Sequence, residues 1–337
     1  MKKAFIMLTV AAVVLTGCGG KEKEPKPGSA TETTENTGTS TPKNTVSPEP
    51  AGKKYEAKQI GQALLDGEYD NIYKQLSKDF QKQITIDQLR EAAESFNQGV
   101  KSWDMQSEML LNGGQYYTWT DPEGKKGLVV TMSPEGEISG LQVKPLESFP
   151  ETDAAQTKLA YGLPFKGEWY VFWGGANVLA NYHYEVESQR YAYDIIQAKD
   201  GYSYKGDATK NESYYAFGQE ILAPQDGKVV HVVNDIEDNN PVGVMNAEHP
   251  AGNVVVIDHG NGEYSFLAHL KKGSAVVKVG DQVSKGDPIG QCGNSGNSSE
   301  PHLHFQVSDS DDLFTGKSIR LQWEQDVSLT QGKAVKG

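Results

Sequence analysis

The chain is poor in several features that large function classes require. It has two cysteines in 337 residues, Cys18 and Cys292, which excludes a disulfide-built scaffold. The apolar run Ala4 to Leu15 stops short of the roughly 20 residues that a membrane-crossing helix needs. Positive charge is scarce: 32 Lys and Arg stand against 45 Asp and Glu, a formal net charge of −13, and residues 151–337 carry −10 of it from 15 basic and 25 acidic side chains. Neutralising phosphates takes clustered Lys and Arg, so nucleic acid is excluded as a partner. No Ser or Cys nucleophile motif stands out, which leaves covalent catalysis without a candidate.

The N-terminal fifty residues concern location. Lys2 and Lys3 precede the apolar run in the pattern of a signal peptide. Leu15-Thr16-Gly17-Cys18 resembles the cleavage box of bacterial lipoproteins, which implies export, cleavage before Cys18 and lipid on its sulfur and amine. Residues 1–18 are therefore expected to be a lipoprotein signal peptide with Cys18 as the lipidated residue, anchoring the protein to the outer face of a membrane in a host with one membrane or two. Cys292, between Gln291 and Gly293, is then the one remaining thiol and is expected to pack as a small apolar residue. Residues 19–53 hold five lysines and five glutamates among Thr, Ser, Pro and Gly, with scarcely an apolar side chain. They are expected to form a disordered tether with a mean reach of about 30 Å.

Residues 54–146 read as a small α+β domain. Ile60, Leu64 and Leu65 begin one helical stripe, and Tyr69, Ile72, Tyr73, Leu76 and Phe80 continue another. Thr85 and Gln88 have the spacing of a capping box, opening a third helix expected to bury Ile86, Leu89, Ala93 and Phe96. Asn112-Gly113-Gly114 and two further turn clusters, at 121–124 and 134–136, then punctuate segments rich in Tyr, Trp and Val, which predicts an antiparallel sheet. The domain resembles a small domain of unknown function found before hydrolases. It contains no acid pair or ligand cluster, and the reading it supports is a spacer or binding module.

The last half of the chain changes rhythm to short β-branched runs and Gly-rich turns, the pattern of an antiparallel all-β core. Gly252 to Ile257 closes on the turn Gly260-Asn261-Gly262, and a strand from Glu263 to Leu270 carries His269. Pro301-His302-Leu303-His304-Phe305 places two histidines two residues apart in a strand. Successive strand side chains alternate faces, so His302 and His304 point the same way, which suits a zinc site where one binds metal and the other handles protons.

These pieces, with Ile221 to Val230, Leu267-Ala268-His269-Leu270 and Val279 to Gly290, resemble in order and spacing the catalytic domain of lysostaphin-type (LytM-type) zinc metallopeptidases, which cut peptide bonds in bacterial peptidoglycan. The resemblance implies a two-sheet antiparallel domain over residues 160–325, with a groove floored by the larger sheet. It implies zinc as cofactor, His304 as a ligand, and His302 and His269 as catalytic histidines. The family's other two ligands come from a His-x-x-x-Asp motif; the matching aspartate is Asp194, but four residues earlier stands Arg190. Arginine is always protonated and offers no lone pair. His183, eleven residues before Asp194, is the expected replacement, ending one strand while Asp194 lies on the next and the polar residues 185–190 connect them.

Three protein ligands, His183, Asp194 and His304, leave zinc a fourth position for water, with His269 and His302 sharing the roles of base and oxyanion partner. His259 is expected to brace its hairpin by hydrogen bonds. His231 and His249 flank an acidic insertion, residues 234–247, and are expected to be solvated loop residues. That insertion and residues 202–217 are the expected substrate-selecting loops, in which Tyr202, Tyr204, Tyr214 and Tyr215 either contact substrate or pack the loop. The function expected is a membrane-anchored, extracytoplasmic zinc endopeptidase acting on peptidoglycan stem peptides or cross-bridges, with any protein partner unknown. Two alternatives stay open: a non-catalytic peptidoglycan-binding or partner-activating domain of the same fold, and a metallopeptidase acting on exported proteins.

Overall fold

The structure is a computed structural model that describes residues 52–337. The expected signal peptide, Cys18 and all but the last two residues of the expected tether lie outside the described residues. Among the described residues no helix is long and apolar enough to cross a membrane.

The small domain opens with α1 (Ala57–Leu65), α2 (Tyr69–Gln75), α3 (Lys78–Gln81) and α4 (Ile86–Asn97). The stripe from Tyr69 to Phe80 is therefore two helices rather than one. Leu76 adopts an extended conformation, and the Ser77 hydroxyl caps the next turn by accepting from the Phe80 amide. The capping box at Thr85 and Gln88 forms as the spacing predicts. Leu89 and Ala93 are buried by α4, whereas Ile86 and Phe96 are only half-buried, Phe96 stacking on Trp103 at 6.2 Å. A four-stranded antiparallel meander follows: β1 (Asp104–Leu111), β2 (Gly114–Thr120), β3 (Lys126–Met132) and β4 (Ile138–Pro145). One face of this meander meets the helices through Tyr117, Trp119, Leu128 and Val130, closing a core with Ile60, Leu64 and Ile72.

The peptidase-like half begins with α5 (Pro150–Ala154), β5 (Gln156–Tyr161), β6 (Glu168–Trp173), β7 (Tyr193–Ile196), β8 (Glu220–Leu222) and β9 (Gly227–Val233). It continues with β10 (Asn253–Asp258), β11 (Tyr264–Leu270), β12 (Gln282–Val283), β13 (Pro288–Gln291), β14 (Leu303–Ser308), β15 (Ser318–Trp323) and β16 (Ala334–Lys336). The large sheet runs β12-β9-β10-β11-β14-β7-β6-β16, with β15 pairing β14 and β5, and β8 pairs β13 in a second small sheet. The sheet thus extends beyond residues 160–325 at both ends. Alternation sorts its side chains: Val255, Ile257, Leu267, Leu303, Phe305 and Ile195 face the main core, while Val254, Val256, Phe266 and Ala268 face the opposite side. Cys292 is fully buried in the main core, and burial pushes its thiol pKa up, so it packs as an inert apolar group.

The small domain does not hang free. Ser107, Met109 and Leu111 alternate along β1 toward the second half of the chain, and Met109 and Leu111 pack with Tyr116 on Ile196, Tyr170 and Phe172. Ser107 Oγ donates to Gln331 Oε1 at 2.7 Å in a buried position, and the Asn112 amide donates to the Gly201 carbonyl at 2.7 Å. Its sheet is therefore covered on both faces.

Phe305 lies between His304 and Gln306, which face the other side of the sheet, and points into the core, with its ring 5.9 Å from that of Trp323. Truncating it to alanine should cost about 3–5 kcal/mol of unfolding free energy, read as a lowered denaturant midpoint.

Candidate metal centre

Strand register assembles the site. In the antiparallel pair β14–β7 His304 lies opposite Asp194, and in β14–β11 it lies opposite Ala268, so three strands present one row on one face. His302, two residues before His304, joins that face with its Nε2 3.7 Å from Asp194 Oδ1. The expected pairing of His302 with His304 holds in this geometry.

His269 reaches the site by breaking the alternation. Beside Ala268 it belongs on the core side, but the register between β10 and β11 shifts between Asn253 and Val255, and His269 adopts φ +60°. This bulge turns the imidazole onto the groove face and returns Leu270 to the core. The ring centroids of His269 and His302 then lie 4.7 Å apart. A left-handed φ on a bulky residue is strained, and it falls on a residue singled out for chemistry.

His183 sits not at a strand end but in a 3₁₀ turn, Tyr182–Glu185. Asn181, fully buried, accepts from the His183 amide at 3.1 Å and donates to the carbonyls of Gly175, Arg190 and Ala192. That scaffold aims the imidazole at Asp194. Arg190 points elsewhere: its Nε donates to the Tyr184 carbonyl at 3.0 Å and its guanidinium lies 3.5 Å over the Phe149 ring. At the motif's histidine position this chain has a structural clamp for α5.

Hydrogen bonds set the tautomers. Gln306 Nε2 donates to the Ser188 carbonyl at 2.8 Å, so its Oε1 faces His304 and accepts from Nε2–H at 3.1 Å. That leaves a lone pair on His304 Nδ1, 3.0 Å from Asp194 Oδ1. Likewise Gln189 Oε1 accepts from His183 Nδ1–H at 2.9 Å, leaving the Nε2 lone pair 3.2 Å from Asp194 Oδ2. Two nitrogen lone pairs facing a carboxylate repel unless positive charge lies between them. The ligand atoms of His183, Asp194 and His304 all lie within 4.8 Å of one another and all three residues are buried, so this nitrogen–nitrogen–oxygen set fits zinc.

The other two imidazoles are anchored differently. His269 Nδ1–H donates to the Ser295 carbonyl at 2.8 Å and His302 Nδ1–H to the Glu300 carbonyl at 2.8 Å, so both keep a basic Nε2. Burial lowers the pKa of each, well below the usual range for His269, where the neighbouring His302 and His304 add to the effect. Both are neutral at neutral pH. Burial acts to raise Asp194, and the imidazoles of His183 and His302 hold its carboxyl well below the usual range only when they carry a proton.

Residues absent from the sequence reading complete the site. The Tyr182 ring lies tilted against His183 with centroids 3.9 Å apart, and Gln189 and Gln306 orient the His183 and His304 imidazoles. The i+2 spacing of Gln306 from His304 was the available signal. The cleft over the histidines is walled by Tyr182, Pro250, Ala251, Asn297, Leu313 and Phe314. Residues 202–217 do not line it, and Tyr204 and Tyr214 pack on each other at 5.3 Å. The 234–247 insertion is tied to the loop before His302 through Asn239, whose Nδ2 donates to the Gly296 and Ser298 carbonyls. His249 is an exposed loop residue, whereas His231 lies on β9 with its side chain to solvent.

His259 braces its hairpin as expected, donating from Nδ1 to the Asp226 carbonyl and accepting at Nε2 from the Ser265 hydroxyl, both at 2.7 Å. Burial lowers its pKa from 6.5, so its contribution to stability is complete above 6.5 and is lost as pH falls through the depressed native value. Between about pH 8 and about pH 5.5, urea midpoints should therefore fall less for His259→Gln than for the unsubstituted chain, the variant starting about 1–3 kcal/mol less stable.

Residues 213–317 match the family model for peptidase family M23. Curated relatives include peptidoglycan DD-endopeptidase ShyA of Vibrio cholerae, 48% identical over 65 residues, which are 19% of this chain and 15% of that protein. Another is murein hydrolase activator EnvC of Escherichia coli, 43% identical over 56 residues, 17% of this chain and 13% of that protein. The chain thus spans well under a quarter of the length of these relatives. Among solved structures, the catalytic domain of lysostaphin from Staphylococcus simulans is 22% identical, covering 51% of this chain and 93% of that one at a TM-score of 0.25. A zinc-containing peptidase from Vibrio cholerae is 16% identical, covering 58% and 52% at a TM-score of 0.24. The family match takes in His269, His302 and His304 and leaves His183 and Asp194 upstream. The second half of this chain carries a domain of peptidase family M23, the lysostaphin-type (LytM-type) peptidases.

Proposed function

We propose that the chain is an extracytoplasmic zinc endopeptidase that hydrolyses peptide bonds in peptidoglycan stem peptides or cross-bridges, held at a membrane by lipid on Cys18. The observation that carries this reading is the convergence of five buried side chains. His183, Asp194 and His304 turn lone pairs and a carboxylate to one point, His269 borders the same cleft, and His302 lies beside it with its Nε2 3.7 Å from Asp194 Oδ1. Zinc bound there would polarise a scissile carbonyl and lower the pKa of water to about 7.

The remaining chemistry falls to the protein. A neutral imidazole with its Nδ1–H fixed by a carbonyl can accept a proton at Nε2 from the attacking water and return it to the leaving amine. The second such imidazole would take a proton from solvent at Nε2 when substrate binds and, keeping it, donate a hydrogen bond to the developing oxyanion. His269 and His302 share these roles. Tyr182, Leu313 and Phe314 flank the cleft and hold the peptide over them. The relatives named as DD-endopeptidases support peptidoglycan as substrate.

The relative named as a murein hydrolase activator supports a second reading, a partner-activating domain of the same fold. Incubation of zinc-loaded protein with purified muropeptides separates the two. New amine termini are expected, their absence under every condition favours the activator, and cleavage of a peptide library without muropeptide cleavage favours exported proteins as substrates. His183→Ala should abolish both stoichiometric zinc binding, read by metal analysis, and hydrolysis. Intact zinc content and activity in that variant would remove His183 from the ligand set. Metabolic labelling with a lipid precursor should mark the unsubstituted chain and not Cys18→Ala.

A further inference from the structure

The small domain docks on the groove face of the large sheet, the same face that carries the metal centre. Met109 and Leu111 pack on Ile196, which lies two residues after Asp194 on β7 and on its side of the sheet. Beyond β7 the chain turns back through residues 199–204, and this turn is held from the small domain. Asn112 is the holding residue: its amide donates to the Gly201 carbonyl at 2.7 Å, its Oδ1 accepts from the Ser203 amide at 2.9 Å, and its Nδ2 donates to Ser203 Oγ at 2.9 Å.

Ser203, itself buried, passes the contact on. Among the described residues its hydroxyl, 3.4 Å from Glu300 Oε2, is the one hydrogen-bond partner of that carboxyl, and Glu300 Oε1 is buried without any. The Glu300 carbonyl in turn accepts from His302 Nδ1–H at 2.8 Å, and Ser298 Oγ donates to the same carbonyl at 2.9 Å. A second line of contact runs to the ligand side. The Tyr116 ring meets Trp173 edge-on at 6.2 Å, Trp173 meets Tyr182 at 5.5 Å, and Tyr182 lies tilted against His183.

We propose that Asn112 of the small domain is a positioning residue for the site, holding His302 through Ser203 and Glu300 in its Nδ1–H tautomer with Nε2 beside Asp194. The proposal rests on the endopeptidase reading for its kinetic consequence and on the geometry alone for its structural one. A base whose anchor is free to shift keeps its substrate contacts but loses the alignment that proton transfer needs, so the effect falls on kcat rather than KM.

Asn112 has φ +52°, a conformation in which glycine is unstrained, so Asn112→Gly removes the side chain without distorting the turn. Asn112→Asp keeps the acceptor for the Ser203 amide. With the full chain loaded with zinc and soluble muropeptides as probe, Asn112→Gly should lower kcat about tenfold and leave KM within about twofold. Asn112→Asp should stay within about threefold of the parent kcat. Zinc stoichiometry should be unchanged in both. In ¹⁵N-histidine spectra the His302 Nδ1–H signal should persist in the parent and Asn112→Asp and be lost or exchange-broadened in Asn112→Gly. A parent-like kcat and an unchanged His302 signal in Asn112→Gly would overturn the proposal, as would equal losses in the two variants. If the parent chain cleaves nothing, the endopeptidase reading fails while the ring-nitrogen spectra still decide this one.

Discussion

The register of β7 against β14 is the constraint on which the site depends. It sets Asp194 opposite His304, and everything else at the centre is arranged around that carboxylate. The register is not held by the polar groups themselves. Ile195, Leu303 and Phe305 alternate with them into the main core, and a slip of one residue would send Asp194 into that core and Ile195 into the cleft. Burial of ordinary apolar side chains on one face thus specifies polar geometry on the other.

His269 shows what regular pairing cannot provide. A strict alternation through Leu267, Ala268, His269 and Leu270 would leave one imidazole too few on the groove face. The bulge opposite Asn253 supplies it, and Asn253 fills the gap that the bulge opens by donating to the Ile236 and Leu270 carbonyls. The strain of the left-handed backbone at His269 is therefore borne by a buried hydrogen-bonded frame rather than left to relax.

What could be read from the residues follows the range of the signal. Periodicity of two gives the strands of the second half and the common face of His302 and His304, because those depend on neighbours in sequence. The Ser77 break in the second helical stripe escaped because a capping hydroxyl competes locally with an apolar pattern that fits one helix equally well. Docking of the small domain escaped for another reason: Ser107, Met109 and Leu111 mark a face to be covered, and no local pattern says by what. Gln189, Gln306 and Tyr182 are ordinary polar and aromatic residues until the fold places them against His183 and His304.

The displaced histidine is the feature that ties these observations together. In the motif that this chain departs from, histidine and aspartate are separated by one turn of sequence, so one local segment positions both. Here eleven positions separate them, and the intervening chain must itself be made rigid. Asn181 does so at one end by bridging the carbonyls of Gly175, Arg190 and Ala192, and Arg190 does so at the other by clamping Tyr184 and Phe149. Gln189, between them, bonds the His183 ring itself. The segment is thus closed on itself by buried polar contacts, and a cation shared by His183 and Asp194 would close it once more. A cation bound there would couple its own binding to the ordering of residues 181–194, a segment that Arg190 already braces.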